Sequence, residues 1–171
     1  MDETGKRYEW YALQRCAASY FPEFEKEKIV WGLTADKWAF AIDTRKNYLP
    51  SNGYILTSED IPLEVIIAQL NSDLLKFYFD IIGVMTAGGA YTLKHETIQE
   101  FPLIVNNKKL NQELIKIVQS ILKIAKDTNS QEKKNELEQL ESQINRVVYQ
   151  LYDLSNEEIE IINRKLKIEV S

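Results

Sequence analysis

Nucleophilic and metal chemistry have little to work with in this chain. Among 171 residues there is one histidine, His95, and one cysteine, Cys16. A single cysteine excludes an internal disulfide and a cysteine-based zinc site, and its simplest role is a small apolar filler. One histidine and no Gly-x-Ser-x-Gly elbow leave no serine-type triad; His95 falls at an expected helix start, where solvent suits it. Gly88-Gly89 lacks the Lys-Ser/Thr pair of a phosphate-binding loop. The one Glu-x-Lys, at Glu132-Lys133-Lys134, falls in a helical stretch and reads as solvated charge rather than a nuclease centre. A Gly-rich cofactor motif and an Asn-Pro-Pro-aromatic motif, both needed for an amino-group methyltransferase, are missing. Catalysis by this chain alone is not expected, and no cofactor is.

Long apolar runs are also lacking. None approaches the roughly 20 residues a membrane-spanning helix needs, and the N-terminus has no signal-peptide pattern, so the expectation is a cytoplasmic protein with no membrane partner. Positive charge is in deficit too, with a net charge of −5. Residues 1–104 carry 10 Lys and Arg against 15 Asp and Glu, whereas residues 105–171 carry 11 of each. A free-standing DNA binder usually has a basic face. If this chain meets DNA, either a partner module supplies the phosphate attraction or the basic residues are gathered on one surface.

What is present is core-forming material: 44% hydrophobic residues, with nine Tyr, six Phe and three Trp. The length suits one compact domain, or one with a helical appendage. Before residue 106 the pattern is mixed. Ile29-Val30-Trp31 and Lys37–Asp43 read as strands, with Trp38, Phe40 and Ile42 alternating onto one face. Tyr48–Gly53 is turn chemistry, its Asn52-Gly53 favouring positive φ, and a strand resumes at Tyr54–Thr57. A helix is expected from about 62 to 70, with Pro62 in its first turn. Asn71 suits a left-handed C-terminal cap, Ser72 suits an N-cap, and a second helix follows over 73–82 until Gly83 stops it. Residues 86–91 form a small-residue loop, and Phe101–Val105 reads as a final strand.

After residue 106 the chain reads as helix. Leu110, Leu114, Ile117, Ile121 and Ile124 keep a 4-3-4-3 spacing, and so do Leu137, Leu140, Ile144, Val147 and Leu151. The polar linker Asp127–Ser130 between them predicts an antiparallel hairpin. Ser155-x-x-Glu158 is a capping box with Leu154 and Ile159 as its staple, so a third helix is expected from about 156 to 167. The expected class is α+β: a small mixed β-sheet with packed helices over residues 1–106, then the hairpin and a short C-terminal helix over 107–171.

With catalysis set aside, recognition remains. Loops at 34–37, 44–48 and 86–94 offer polar and basic side chains to a nucleic acid: Lys37; Arg45, Lys46, Asn47 and Tyr48; Thr86, Tyr91 and Lys94. Arg45 and Lys46 suit a phosphate or a guanine edge, and Asn47 or Gln99 suits adenine.

The ordered set Lys28-Ile29-Val30-Trp31, Phe40-Ala41-Ile42-Asp43-Thr44, Tyr48, Tyr54-Ile55-Leu56, Leu70–Phe79 and Phe101-Pro102-Leu103 resembles the TaqI-like C-terminal specificity domain of type IIG restriction-modification enzymes. That domain is related to the target-recognition domains of type I specificity subunits. Val148–Ile159 resembles the tail of many such enzymes. The resemblance implies a target-recognition domain over 1–106 and a helical spacer or docking region over 107–171. It implies double-stranded DNA as a partner, along with methyltransferase and endonuclease domains in the same chain or a partner subunit. S-adenosylmethionine and Mg2+ are then expected only in those catalytic domains. The competing expectation is a protein-interaction module that uses the amphipathic hairpin.

Overall fold

A computed structural model describes residues 21–125 and 131–169. In chain order these form α1 (Phe21–Phe24), β1 (Lys28–Gly32), β2 (Thr34–Ala35), β3 (Ala41–Asp43), β4 (Gly53–Leu56), α2 (Leu63–Leu70), α3 (Asp73–Ile82), β5 (Val84–Met85), β6 (Tyr91–Thr92), α4 (His95–Ile98), α5 (Lys108–Ile124), α6 (Gln131–Leu151) and α7 (Asn156–Glu169). Cys16 and the linker Asp127–Ser130 lie outside the described residues. The class is α+β as expected, but the strands form two three-stranded sheets, β3-β1-β4 and β2-β6-β5, rather than one mixed sheet. Every ladder is antiparallel. Parallel pairing needs a crossover of a dozen or more residues. The stretch long enough for one, α2–α3 after β4, leads into the second sheet instead of back to the first.

β1 is central because both its faces are useful. Ile29 and Trp31 are buried in the core, while Lys28, at its start, is also buried and is held by charge. Strand β3 is shorter than the alternation at Lys37–Asp43 predicts. Trp38, Phe40 and Ile42 do turn toward the core, but residues 36–40 make no ladder. The reason is a side chain: Asn71 Oδ1 accepts from the Phe40 N–H at 2.9 Å, and Asn71 Nδ2 donates to the Phe40 carbonyl at 2.9 Å.

The same device recurs at Gln69, which is fully buried. Its Oε1 accepts from the Ile104 N–H at 3.0 Å and its Nε2 donates to the Ile104 carbonyl at 3.0 Å. Residues 101–105 are therefore not a strand. They run alongside α2, and one amide side chain provides the two bonds a neighbouring strand would have made. The Leu70 carbonyl accepts from Trp38 Nε1 at 2.7 Å. Ser72 caps α3 by accepting from the Leu75 N–H and donates its own hydroxyl to the Gln69 carbonyl at 2.7 Å. Gln69-Leu70-Asn71-Ser72 thus ties together both flanking segments and both helices. Asn71 has φ −88°, so it is not the left-handed cap its type suggests.

Among the described residues, positive φ outside glycine falls elsewhere, at Lys46 and Asp153. Gly53 is not left-handed either. It closes a turn with its N–H on the Pro50 carbonyl at 2.9 Å, and a Cβ there would press on Leu49. Gly83 stops α3 as expected, with a Cβ excluded by the Phe79 ring. Residues 34–35, expected as loop, pair with β6, and residues 86–90 are the turn of the β5–β6 hairpin.

α5 and α6 pack antiparallel against each other and against α2. Leu114, Ile117 and Val118 of α5, with Ile144, Val147 and Val148 of α6, enter the same hydrophobic core as Ile29, Phe40 and Phe79. Asn145 of α6 also clasps the start of α3: its Oδ1 accepts from the Asp73 N–H and its Nδ2 donates to Asp73 Oδ2, both at 2.8 Å. Tyr152 reaches Gln69 Oε1 at 2.9 Å and the Pro102 carbonyl at 2.8 Å, and burial pushes its hydroxyl pKa up to about 12. The capping box forms as the sequence predicts, with the Ser155 N–H donating to Glu158 Oε2 at 2.8 Å and the Glu158 N–H to Ser155 Oγ at 3.3 Å. Its staple residues Leu154 and Ile159 pack beside Tyr149 and Ile162.

Candidate nucleic-acid interface

The loop over residues 44–48 is built outward from one buried ion pair. Antiparallel register sets Lys28 of β1 opposite Asp43 of β3. Lys28 Nζ lies 2.7 Å from Asp43 Oδ2 and also donates to the Phe24 carbonyl at 2.9 Å. Asp43 Oδ1 accepts from the Arg45 N–H at 2.8 Å and from Asn47 Nδ2 at 2.9 Å, while Oδ2 accepts from the Asn47 N–H at 2.8 Å. Burial pushes the Asp43 carboxyl up, but the Lys28 ammonium and the two backbone N–H groups outweigh it and hold it down at about 2. With the chain gripped at 45 and 47, Lys46 between them takes a left-handed φ of 57°. A short aspartate-centred turn of this kind fixes the backbone and leaves the intervening side chains outside.

Arg45 and Lys46 are exposed on that turn. Among the described residues Arg45 has no ion-pair partner, and Lys46 has only Glu25, at 3.7 Å. Asn47 is exposed, yet its amide serves the loop itself by binding Asp43. Tyr48 is 53% exposed, stacks on Phe24 at 5.0 Å and donates its hydroxyl to Glu25 Oε1 at 2.6 Å. That hydrogen bond to a carboxylate raises the Tyr48 pKa.

The other expected contacts do not join this cluster. The 44–48 loop sits at the start of β1, whereas Lys37 and the 86–90 turn sit beyond the end of β2. Lys28 and Ala35 lie in different sheets, with a bend at Leu33 between them. Lys37 is exposed. Thr86 closes the hairpin turn, its N–H donating to the Ala90 carbonyl at 2.8 Å and its Oγ1 accepting from the Ala90 N–H at 3.1 Å, with Gly89 at φ 81°. Lys94 is exposed at the junction of the sheets, just after the Leu93 N–H donates to the Leu33 carbonyl at 2.7 Å. Tyr91 does not face solvent as a contact would: it is 8% exposed, because β6 turns its ring inward against Trp38 at 5.5 Å and Phe79 at 5.9 Å. His95 stands at the exposed start of α4, with Nδ1 3.1 Å from Glu96.

The Lys28–Asp43 hub is not visible in the sequence alone. Its signal is a lysine opening the apolar run Ile29-Val30-Trp31 and an aspartate closing Phe40-Ala41-Ile42, but facing positions appear only once the register is known. A separate cleft of about 680 Å3 lies between residues 36–42 and helices α3, α5 and α6. Asp36, Asp73 and Glu141 line it against Lys37 and Lys76. Burial raises the carboxyl pKa of Asp73, and burial with the nearby Glu138 and Asp73 raises that of Glu141. Such walls do not suit a phosphate. Among the described residues, no group of three His, Cys, Asp or Glu side chains is placed to hold a metal ion.

Fold and site together define a class: an α+β platform whose hydrogen bonding is directed at holding an exposed polar loop in one conformation. Comparison with family models makes it specific. The model of the TaqI-like C-terminal specificity domain matches residues 3–103, more than half of the chain. The chain belongs to this family of DNA-specificity domains of restriction-modification enzymes. The match ends at Leu103, before α5, so the tail likeness at Val148–Ile159 lies beyond it. Comparison with curated proteins gives no significant match. Among the described residues, no helix is long and apolar enough to cross a membrane.

Proposed function

We propose that this chain reads a short double-stranded DNA sequence through the 44–48 loop and directs methyltransferase and endonuclease domains to it, taking no part in their chemistry. The observation that carries this reading is the Asp43 hub, which fixes the backbone on both sides of Lys46 and presents Arg45, which has no ion-pair partner among the described residues. A guanidinium offers paired donors to guanine O6 and N7, and Lys46 suits a phosphate. Lys37, Thr86 and Lys94 are secondary candidates for backbone contact, and Asn47 and Tyr48 shape the loop. Residues 1–106 form the reader and 107–171 the spacer that docks it against catalytic domains, in the same chain or a partner subunit. S-adenosylmethionine and Mg2+ belong to those domains.

A purely protein-binding role for the hairpin is the weaker reading, because its apolar seam is already used in the core it shares with α2. The test is an electrophoretic mobility assay at low salt with a pool of random-sequence duplexes. Arg45→Ala with Lys46→Ala should weaken binding by about tenfold or more, on the scale of one lost base contact and one lost phosphate contact. Retention of wild-type affinity by that variant contradicts the assignment.

A further inference from the structure

The chain's acidic balance leaves one physical problem: which surface attracts DNA phosphates. α5 answers it. It carries Lys108, Lys109, Lys116 and Lys123 against one carboxylate, Glu113, whereas α6 and α7 each carry more acids than bases over their described spans. Lys109, Lys116 and Lys123 recur every seven residues. A seven-residue step is within about 20° of two whole turns, so the three ammonium groups share one face over about 21 Å. Gln112 and Gln119 fill the intervening three- and four-residue steps of that stripe. All five residues, and Lys108 beside them, are exposed, while the opposite face enters the core through Leu114, Ile117 and Val118.

Two further observations separate this face from ordinary solvated charge. Among the described residues none of the four lysines has a carboxylate within ion-pair reach, and Glu113, the acid of the same helix, lies 3.9 Å from Arg146 instead. Lys108 and Lys109 also occupy the first turn of α5, which has no acidic residue. There the helix dipole disfavours cations. α7 shows the ordinary arrangement, with Glu157 and Glu158 in its first turn. Helix stability does not explain lysines at that end.

The stripe also leads to the reader loop. Leu122, next to Lys123, lines a cleft together with Thr44, at the root of the Arg45 turn. Of the carboxylates on that cleft, Glu59 is 2.9 Å from Lys26, leaving Glu27, Asp60 and Glu64 as the opposing charges; Glu64 accepts from the neutral Gln119 amide of the stripe at 3.3 Å.

We infer that the outer face of α5, defined by Lys109, Lys116 and Lys123, is a phosphate rail that holds the backbone of the duplex read by the Arg45 loop. The inference rests on the DNA-reading function proposed above. Phosphate contacts of this kind fix position and carry no sequence information. The rail lies outside the family-matched residues and gives the helical region a role in binding as well as spacing.

The experiment compares three forms of the full chain for binding to random-sequence duplexes across a salt series. They are wild type, Lys109→Gln/Lys116→Gln/Lys123→Gln, and the charge-matched Lys134→Gln/Arg164→Gln/Lys165→Gln. The α5 variant should lower the slope of log affinity against log salt by about 2 to 3, as expected for three lost phosphate contacts, and weaken binding about tenfold or more at low salt. The control should stay close to wild type, and circular dichroism should show all three equally helical. Equal losses in both variants mean a net-charge effect and overturn the rail, as does an α5 variant indistinguishable from wild type. Loss of catalytic-partner binding with DNA binding intact makes the face a protein surface and also overturns it. Each of these leaves the reading by Arg45 standing. Absence of DNA binding by the wild type removes the reading and the rail together.

Discussion

Lys28 sits fully buried because Asp43 and two backbone carbonyls receive its ammonium group, and Asp43 in turn holds the Arg45 turn. Removing one member of a buried pair leaves the other uncompensated, typically at a cost of about 3–5 kcal/mol. Asp43→Asn should therefore lower stability by about that much in urea unfolding, and it should loosen residues 44–48 to amide exchange before the rest of the sheet. The pH dependence follows from the same carboxylate. Its folded pKa of about 2 lies below the ordinary 3.8, so its contribution is fully present above about pH 4 and is lost as pH falls toward 2. Stability measured from pH 5 to 2 should decline in that window in wild type and decline less in Asp43→Asn. Tyr149 is the converse case. Its hydroxyl is buried with no hydrogen-bond partner among the described residues, and burial with the nearby Asp73 pushes its pKa up to about 12. Tyr149→Phe deletes an unsatisfied polar group, so the unfolding midpoint should stay level or rise by up to about 1 kcal/mol equivalent.

Between elements, Gln69 and Asn71 do the joining. Each amide brackets one backbone residue, Ile104 and Phe40, so Gln69→Leu strips both hydrogen bonds from Ile104, at about 1–3 kcal/mol for each group left buried and unpaired. Equilibrium denaturation should show a loss of at least about 2 kcal/mol, with Phe101–Val105 the first segment to gain protease sensitivity. An unchanged midpoint would mean that solvent satisfies Ile104 as well as Gln69 does. These two residues also mark where sequence is legible and where it is not. The helices α2, α3, α5, α6 and α7, the Ser72 cap and the Ser155–Glu158 box are local features, written in spacing and in residues three or four apart. The strand expected at Phe101–Val105 and the full strand at Lys37–Asp43 fail for one reason. Their extended backbones are real, but side chains about 30 residues away take the bonds a ladder would have used. The place of Tyr91 in a strand does not show in the sequence because β5 and β6 are only two residues each, too short for alternation to appear. Arg45, Lys46, Asn47 and Tyr48 were legible as a polar turn; the reason that turn is rigid lies in a register no single sequence displays.

At the scale of the whole molecule, platform and helices share one core, clasped by Asn145 on Asp73 and by Tyr152 over Gln69. This arrangement keeps the 44–48 loop in a fixed position relative to α5, as the proposed contact of both with one duplex requires. The most direct test of DNA reading is selection from a randomised duplex library with the full chain, followed by sequencing of the bound fraction. The account predicts enrichment of a short sequence by the wild type. With Arg45→Ala that preference should relax at one or two positions, corresponding to about 1–3 kcal/mol of lost discrimination. A bound fraction as random as the input, or an enriched sequence unaltered by Arg45→Ala, would contradict it.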